Sequence, residues 1–521
     1  MLSLLQLWKL RHWRLNYALL RFFVLLGLLI PGVLQAQMVT VEQGQLAGAK
    51  TNGVFSFKGI PFAAPPIGEL RWAAPQQPAD WDGVRHASDY GNDCIQLPFP
   101  KGSPYYTALN GPSEDCLYLN VWSSNLGVDR KAPVMVWIHG GGHTRGSGAV
   151  PSYDGSEFAR KGVILVTVNY RLNVFGWMPH PELSAEQGGH SGNYGLMDHV
   201  AALQWVRANI SQFGGNPDNV TIFGESAGSS SVSQLMVNPA AGGLFHKAIG
   251  QSGGIFRPLT ELADAHARGE KIAGAAGVDS LAQMRALPAE TLLSTFSELE
   301  KSGLRLGAII DGRSIPGQAI DLYRSGQYNP VPLIAGYNRD ESTVFALTPG
   351  GNVATNRQQL SAQLDRFAPA GKDAFLAAYA ETDKGDPRQP YLDFWRDMVF
   401  GWNMQTWARL NEEQGQPAWL YYFTRQPPTP AGKALGAFHA AEIAYVFGNG
   451  VPETQAERGL SEAMQQFWIN FAVFGHPNGK VAQFWPRFGE KQNYIVLDEH
   501  PRVGRRLEAD RRKVWDEALG M

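Results

Sequence analysis

The nine residues Val220-Thr221-Ile222-Phe223-Gly224-Glu225-Ser226-Ala227-Gly228 constrain this chain more than any other stretch. Four β-favouring residues run into a glycine, which predicts a buried strand over 220–223. Small and helix-compatible residues follow from Ser229 to Val237, so the order is strand, tight turn, helix. The pentapeptide from Gly224 to Gly228 fits G-x-S-x-G, which lifts a serine onto a sharp turn above the end of a strand. Side chains two positions either side of that serine would collide with strand or helix, hence the two glycines. The turn also sets Ser226 at a helix N-terminus, where unpaired N–H groups and the helix dipole favour developing negative charge. Ser226 is the candidate nucleophile.

The alternation continues on both sides. Residues 134–138 and 163–168 are continuous apolar runs, as expected of strands buried on both faces. A helix is predicted over 195–210, with Leu196, Val200, Leu203 and Val206 at helical spacing. Strand and helix thus alternate from 134 to 240, and a mostly parallel α/β sheet is the economical fold class. Upstream, 38–53 reads as short strands and hairpin turns, 117–121 as another strand, and 57–68 as an extended connection punctuated by prolines. Beyond Gly253 the chain turns more helical, and 259–276 and 356–379 read as helical insertions able to roof a site on the sheet. Two more buried strands are predicted, at 331–335 and 418–423. No stretch has the composition of a linker, so 37–521 is expected to form one domain.

The first 36 residues differ from the rest. Lys9, Arg11, Arg14 and Arg21 precede a short apolar run, 22–30, then a Pro-Gly break and Leu34-Gln35-Ala36. That is the layout of a signal peptide cleaved after Ala36, and the protein is expected to be secreted or periplasmic. Leu34 is larger than the residue preferred three before the cut, which leaves an uncleaved N-terminal anchor as the alternative. In an oxidising compartment the only two cysteines, Cys94 and Cys116, are expected to pair. A formal charge of −2 gives no reason to expect nucleic acid or an anionic membrane surface as partner. His139 and His143 are four apart, but the glycines between them argue against paired metal ligands on a helix; no metal and no cofactor is called for.

A serine hydroxyl needs a base, and the base an orienting carboxylate. In sheets of this class these groups follow the serine in the order acid, then histidine, on loops beyond the strand ends. His439, beyond the 418–423 strand and a proline-bearing loop, stands where the base belongs. The loop after 331–335 offers Asp340 or Glu341 as the acid, and spacing alone does not choose. The run His139-Gly140-Gly141-Gly142 after a buried strand supplies unobstructed backbone N–H groups for an oxyanion, joined by that of Ala227.

Several separated motifs carry a resemblance. They include Phe57-Lys58-Gly59-Ile60-Pro61-Phe62-Ala63, Gly68-Glu69-Leu70-Arg71-Trp72 and Glu114-Asp115-Cys116-Leu117-Tyr118-Leu119-Asn120-Val121. Asn169-Tyr170-Arg171-Leu172, Gly192-Asn193-Tyr194-Gly195-Leu196-Met197-Asp198, Gly214-Gly215-Asn216-Pro217, the serine turn and Phe474-Gly475-His476-Pro477-Asn478-Gly479 continue it. With these the chain resembles the type-B carboxylesterase and cholinesterase family of α/β-hydrolases, from about Met38 to near the C-terminus. The resemblance implies the α/β-hydrolase fold and a Ser226, Glu341, His439 triad. It implies Gly141, Gly142 and Ala227 as oxyanion donors, a Cys94–Cys116 loop at the rim of the site, and ion pairs Arg71–Glu114 and Arg171–Asp198. The expected function is a secreted serine carboxylesterase acting on a small-molecule ester. An acyltransferase on the same acyl-enzyme is the alternative, and a non-catalytic binding relative a more distant one.

The chain departs from the family pattern in three places. Ser342 replaces the usual glycine after the acid, and His143 the usual aromatic after the glycines. The cysteine loop has Tyr105 and Tyr106 but no tryptophan for choline. With Arg145 two residues beyond His143, both side chains are candidates to contact substrate, Arg145 by pairing with a carboxylate on the ester.

Overall fold

The protein is described by a computed structural model covering residues 37–346, 353–380, 387–479 and 483–521. The expected leader, 1–36, lies outside the described residues. Thirteen strands form one sheet: β1 (Gln37–Val41), β2 (Gly44–Thr51), β3 (Val54–Pro61), β4 (Val84–His86), β5 (Tyr118–Ser123), β6 (Ala132–Ile138), β7 (Ile164–Val168), β8 (Gly215–Glu225), β9 (Lys247–Gln251), β10 (Leu333–Asn338), β11 (Ala418–Phe423), β12 (Asn493–Leu497) and β13 (Arg502–Arg505). Their order is β1-β2-β3-β5-β7-β6-β8-β9-β10-β11-β12-β13, with β4 beside β2. All neighbours from β7 to β12 pair in parallel, while both ends of the sheet are antiparallel. This is the α/β-hydrolase architecture, with β8 at its centre.

The central strands have no polar face because both faces are covered. Along β6, Val134, Val136 and Ile138 join one hydrophobic cluster, while Met135 and Trp137 join the cluster on the opposite face. β8 repeats this, with Val220 and Ile222 on one side and Phe223 on the other. Strand periodicity of two, applied to an almost wholly apolar run, therefore builds both layers at once. The predicted helix over 195–210 is Tyr194–Asn209.

Two expected boundaries shift. Residues 57–61 are not a connection but the end of β3, paired antiparallel with β5. The register slips between Phe57 and Ile60, where Gly59 takes φ 65° and a Cβ would meet the Asp89 carbonyl oxygen at 2.7 Å. The strand expected at 331–335 instead starts at Leu333 and runs to Asn338, because Pro332 has no N–H to donate to a ladder.

The insertions are Leu262–Ala276, Ala289–Lys301, Arg357–Phe367, Lys372–Ala378, Gln389–Arg396 and Trp402–Glu413. Arg396 is buried and meets three carboxylates, Glu508 at 2.6 Å, Asp397 at 2.8 Å and Asp393 at 3.2 Å. Arg511 bonds Asp393 at 2.9 Å and pairs with Glu508, so the C-terminal helix Ala509–Ala518 is clasped to the roof. The ion pairs Arg71–Glu114 (2.6 Å) and Arg171–Asp198 (2.7 Å) both form. No helix among the described residues is long and apolar enough to cross a membrane.

Candidate active site

β8 ends at Glu225, and the helix Ala227–Val237 starts two residues later. Between them Ser226 takes φ 58° and ψ −123°, a conformation that costs a residue with a side chain about 1–3 kcal/mol. Its neighbours leave little alternative. A Cβ on Gly224 would lie 2.6 Å from the Gly228 carbonyl carbon, and one on Gly228 2.0 Å from the Ile138 carbonyl oxygen. The Ser226 N–H donates to the Gln251 carbonyl (2.8 Å) and fixes the turn against β9. Of the five residues from Gly224 to Gly228, Ser226 alone is not buried. The strain thus presents one hydroxyl above the sheet.

The residues expected as acid and base lie on the loops after β10 and β11. Asp340 and Glu341, between which spacing did not choose, do different things. Asp340 accepts from the Ala437 N–H at 2.7 Å and pairs with Arg339, tying the two loops together. Glu341 is buried and its Oε2 lies 2.5 Å from His439 Nδ1. Its Oε1 accepts from the Asn338 N–H (2.7 Å) and the Ser252 hydroxyl (2.5 Å). With Nδ1–H donating to Glu341, the neutral ring of His439 keeps its lone pair on Nε2. Ser342 donates to the Leu392 carbonyl at 2.5 Å, a bond to the roof that the usual glycine could not make.

Sequence reasoning missed several groups around His439. Glu225 Oε1 stands 3.1 Å from Nε2, close but not aligned as a hydrogen bond. Glu442, also buried, accepts from Gln251 (3.0 Å) and Asn338 (2.6 Å). Burial pushes the carboxyls of both Glu225 and Glu442 above their ordinary pKa. For His439 burial alone would lower the pKa, but Glu225, Glu341 and Glu442 outweigh it and push it up to about 9. Phe400 stacks on the ring at 4.6 Å, Phe345 flanks it at 5.1 Å, and the Tyr105 hydroxyl donates to the His439 carbonyl at 2.7 Å. Tyr105 belongs to the loop closed by the Cys94–Cys116 disulfide. The only local signal for Glu225 was its place beside Ser226, and the signal for Glu442 was its position three residues after His439, at the start of the helix Ile443–Phe447.

The glycine run comes from the end of β6. A Cβ on Gly140 would lie 2.8 Å from the Glu225 carbonyl oxygen and 3.0 Å from Ser226 Cβ, so only glycine permits this approach. Gly141, Gly142 and His143 follow with φ 105°, 64° and 58°. Among the described residues the amides of Gly141, Gly142 and Ala227 donate to no protein acceptor.

His143 and Arg145 are placed differently. The His143 ring is buried and stacked on Trp177 at 4.2 Å. Its Nε2 lies 3.1 Å from the Ala227 carbonyl oxygen and 3.2 Å from Ser231 Oγ, and burial holds its pKa down at about 4. Arg145 is half-buried, its guanidinium 5.7 Å from the Phe99 ring centroid and 3.9 Å from Glu300. Its Nε is buried with no partner. Among the described residues no group of three or more His, Cys, Asp or Glu is arranged to hold a metal.

Comparison with known proteins agrees with this architecture. Residues 35–515 match the carboxylesterase family. Fumonisin B1 esterase of Sphingopyxis macrogoltabida is 37% identical over 475 residues, covering 87% of this chain and 85% of that protein. Para-nitrobenzyl esterase of Bacillus subtilis is 37% identical over 495 residues, covering 92% and 98%. The solved carboxylesterase EST55 of Geobacillus stearothermophilus superposes with a TM-score of 0.83 at 35% identity, over 92% of this chain and 99% of that one. The chain belongs to the carboxylesterase family and is a carboxylic ester hydrolase of the α/β-hydrolase fold.

Proposed function

We propose that the protein is an exported serine carboxylesterase that cleaves a small-molecule ester through an acyl-enzyme on Ser226. The observation that carries this is the Glu341–His439 pair, 2.5 Å apart, with His439 Nε2 3.1 Å from Glu225, the residue next to Ser226, which is the one accessible residue of the serine turn. His439 Nε2 takes the Ser226 proton as Oγ bonds to the ester carbonyl carbon. The carbonyl electron pair moves onto oxygen, where the Gly141, Gly142 and Ala227 amides receive it. Collapse expels the alcohol, which takes the proton back from Nε2. Water then repeats the sequence and releases the acid. An acyltransferase would differ only in admitting an alcohol at that last step, and product analysis in the presence of added alcohols separates the two. Export is supported by the basic and apolar N-terminal segment together with the Cys94–Cys116 disulfide.

Ser226→Ala is expected to fold and to lose about four to six orders of magnitude in kcat/KM. Retention of more than about a tenth of wild-type activity would overturn the assignment. A sulfonyl fluoride or organophosphate is expected to inactivate by labelling Ser226, read by mass spectrometry.

Relatives of equal identity are named for fumonisin B1 and for para-nitrobenzyl esters, so the substrate must be argued from this chain's own residues. Arg145 pairs with Glu300 only at 3.9 Å and keeps a buried Nε without a partner, which supports an ester bearing a carboxylate. Matched neutral and carboxylate-bearing esters are the test. Arg145→Ala is expected to lower kcat/KM for the acidic ester alone, and an equal loss for both rules this out.

A further inference from the structure

We propose that His143 is a positioning residue that fixes the spacing between the two halves of the oxyanion hole. One half is the glycine run after β6, the other the amide of Ala227 at the start of the helix Ala227–Val237. His143 belongs to the first half by its backbone, since it directly follows Gly142, and grips the second by its side chain.

The contacts run in three directions. Nε2 reaches the Ala227 carbonyl oxygen (3.1 Å) and Ser231 Oγ (3.2 Å), both on the helix that starts beside the nucleophile. Because Ala227 offers a carbonyl there, Nε2 must carry the proton and donate it. The ring face lies on Trp177 at 4.2 Å. The His143 carbonyl accepts from the Asn173 N–H at 2.6 Å, which anchors the backbone itself.

The backbone explains why such a grip is useful. A run of left-handed residues ending in one that is not glycine, at φ 58°, is strained unless its surroundings over-determine it. Gly141 is held through its carbonyl, which accepts from the Thr144 and Arg145 N–H groups at 3.1 Å each, but neither Gly141 nor Gly142 has a side chain to tie it to the helix. The first residue able to anchor them is His143. The aromatic side chain usual in the family at this point can stack on Trp177, but it has no donor for Ala227. In this chain the donor adds a direct link from one set of oxyanion amides to the other. A preorganised donor acts only if it stands where the oxyanion will form, so an error in this link is expected to appear in the transition state and not in substrate binding.

The inference rests on the serine-esterase assignment, and the experiment presupposes a wild-type enzyme whose Ser226→Ala variant is inactive. If wild type has no esterase activity the assignment fails; the outcomes below concern the role of His143 alone. His143→Phe keeps a ring for Trp177 and removes the donor. His143→Gln keeps a terminal N–H near the position of Nε2 and removes the ring. Each is compared with wild type in kcat, KM, melting temperature and affinity for a trifluoromethyl ketone. Ser226 Oγ adds to the ketone carbon, its proton passes to His439, and the carbonyl electron pair becomes an oxyanion in the hole. His143→Phe is expected to lower kcat about tenfold or more with KM within about threefold, and to weaken the ketone by the same factor as kcat/KM. His143→Gln is expected to stay within about threefold of wild-type kcat. A folded Phe variant with kcat within about twofold of wild type overturns the proposal. If the Phe variant cannot be obtained folded, the Gln variant decides: within about threefold supports the role, and a larger loss at unchanged melting temperature overturns it, because the donor is then present and the hole still fails.

Discussion

At the scale of single residues, the most consequential feature is the crowd of carboxylates around one histidine. The base must be neutral to take the serine proton, so kcat/KM rises as pH climbs through the pKa of His439 in the free enzyme. An ordinary histidine would place that rise near pH 6.5. Here Glu225, Glu341 and Glu442 overcome the opposing effect of burial and move the pKa up to about 9. The rising limb is therefore expected above pH 6.5, within the range between neutrality and pH 9. Glu225→Gln removes the carboxylate facing Nε2 and is expected to shift the limb to lower pH. A kcat/KM profile from pH 5 to 10 on both proteins checks this, and superimposable limbs would show that Glu225 does not set the pKa. Ser226 and His439 stand out as candidates in the sequence because a serine turn and an acid–histidine order leave a local trace. Glu225 could not be placed beside His439, because it ends β8 and only the parallel sheet brings the loop after β11 to it across the chain; Glu442 is three residues from His439, but its burial against Asn338 and Gln251 is set by the fold.

At the scale of elements, the loop from Cys94 to Cys116 joins stability to the site. The disulfide closes a separation of 22 residues, worth about 3 kcal/mol in the chain-entropy account. The same loop sends the Tyr105 hydroxyl to the His439 carbonyl. Replacing both cysteines by serine is expected to lower the urea midpoint and to lower kcat/KM as well, because Tyr105 loses its support. Tyr105→Phe separates the two effects: it removes one hydrogen bond, about 1 kcal/mol, and is expected to reduce kcat by less than about tenfold with the midpoint little changed. Equal midpoints for the double-serine variant and wild type would contradict the first expectation. The elements themselves were unevenly readable. β6, β7, the 220–223 end of β8 and β11 stood out because strands covered on both faces are almost wholly apolar, with Thr167 and Thr221 the exceptions in β7 and β8. The end of β3 did not, because a register slip at Gly59 and the terminal Pro61 imitate a loop. The predicted helical stretch 356–379 proved to be two helices, separated around Pro369, where a missing N–H ends the ladder.

At the scale of the whole molecule, the sheet supplies a rigid floor and the insertions supply a roof that must be held down. Arg396 does much of that holding. It is buried against Asp393, Asp397 and Glu508, and Glu508 lies at the start of the C-terminal helix. The segment following Arg396, Asp397–Gly401, carries Phe400 onto the His439 ring. One buried guanidinium thus couples the far end of the chain to the face of the His439 ring. Such a cluster is not by itself a reason for high stability, since desolvation opposes the attraction. Removing only its cation is different, because the carboxylates are left facing one another with Arg511 alone to balance them. Arg396→Met is expected to cost about 3–5 kcal/mol. The loss should fall first on the roof, which Arg396 ties to the C-terminal helix. In a urea titration of the variant, esterase activity is then expected to disappear at a lower concentration than the far-ultraviolet circular dichroism signal. In wild type the two curves should lie close together. If the variant's activity and dichroism midpoints coincide with those of wild type, the clasp contributes nothing, and the roof must be held by its apolar contacts alone.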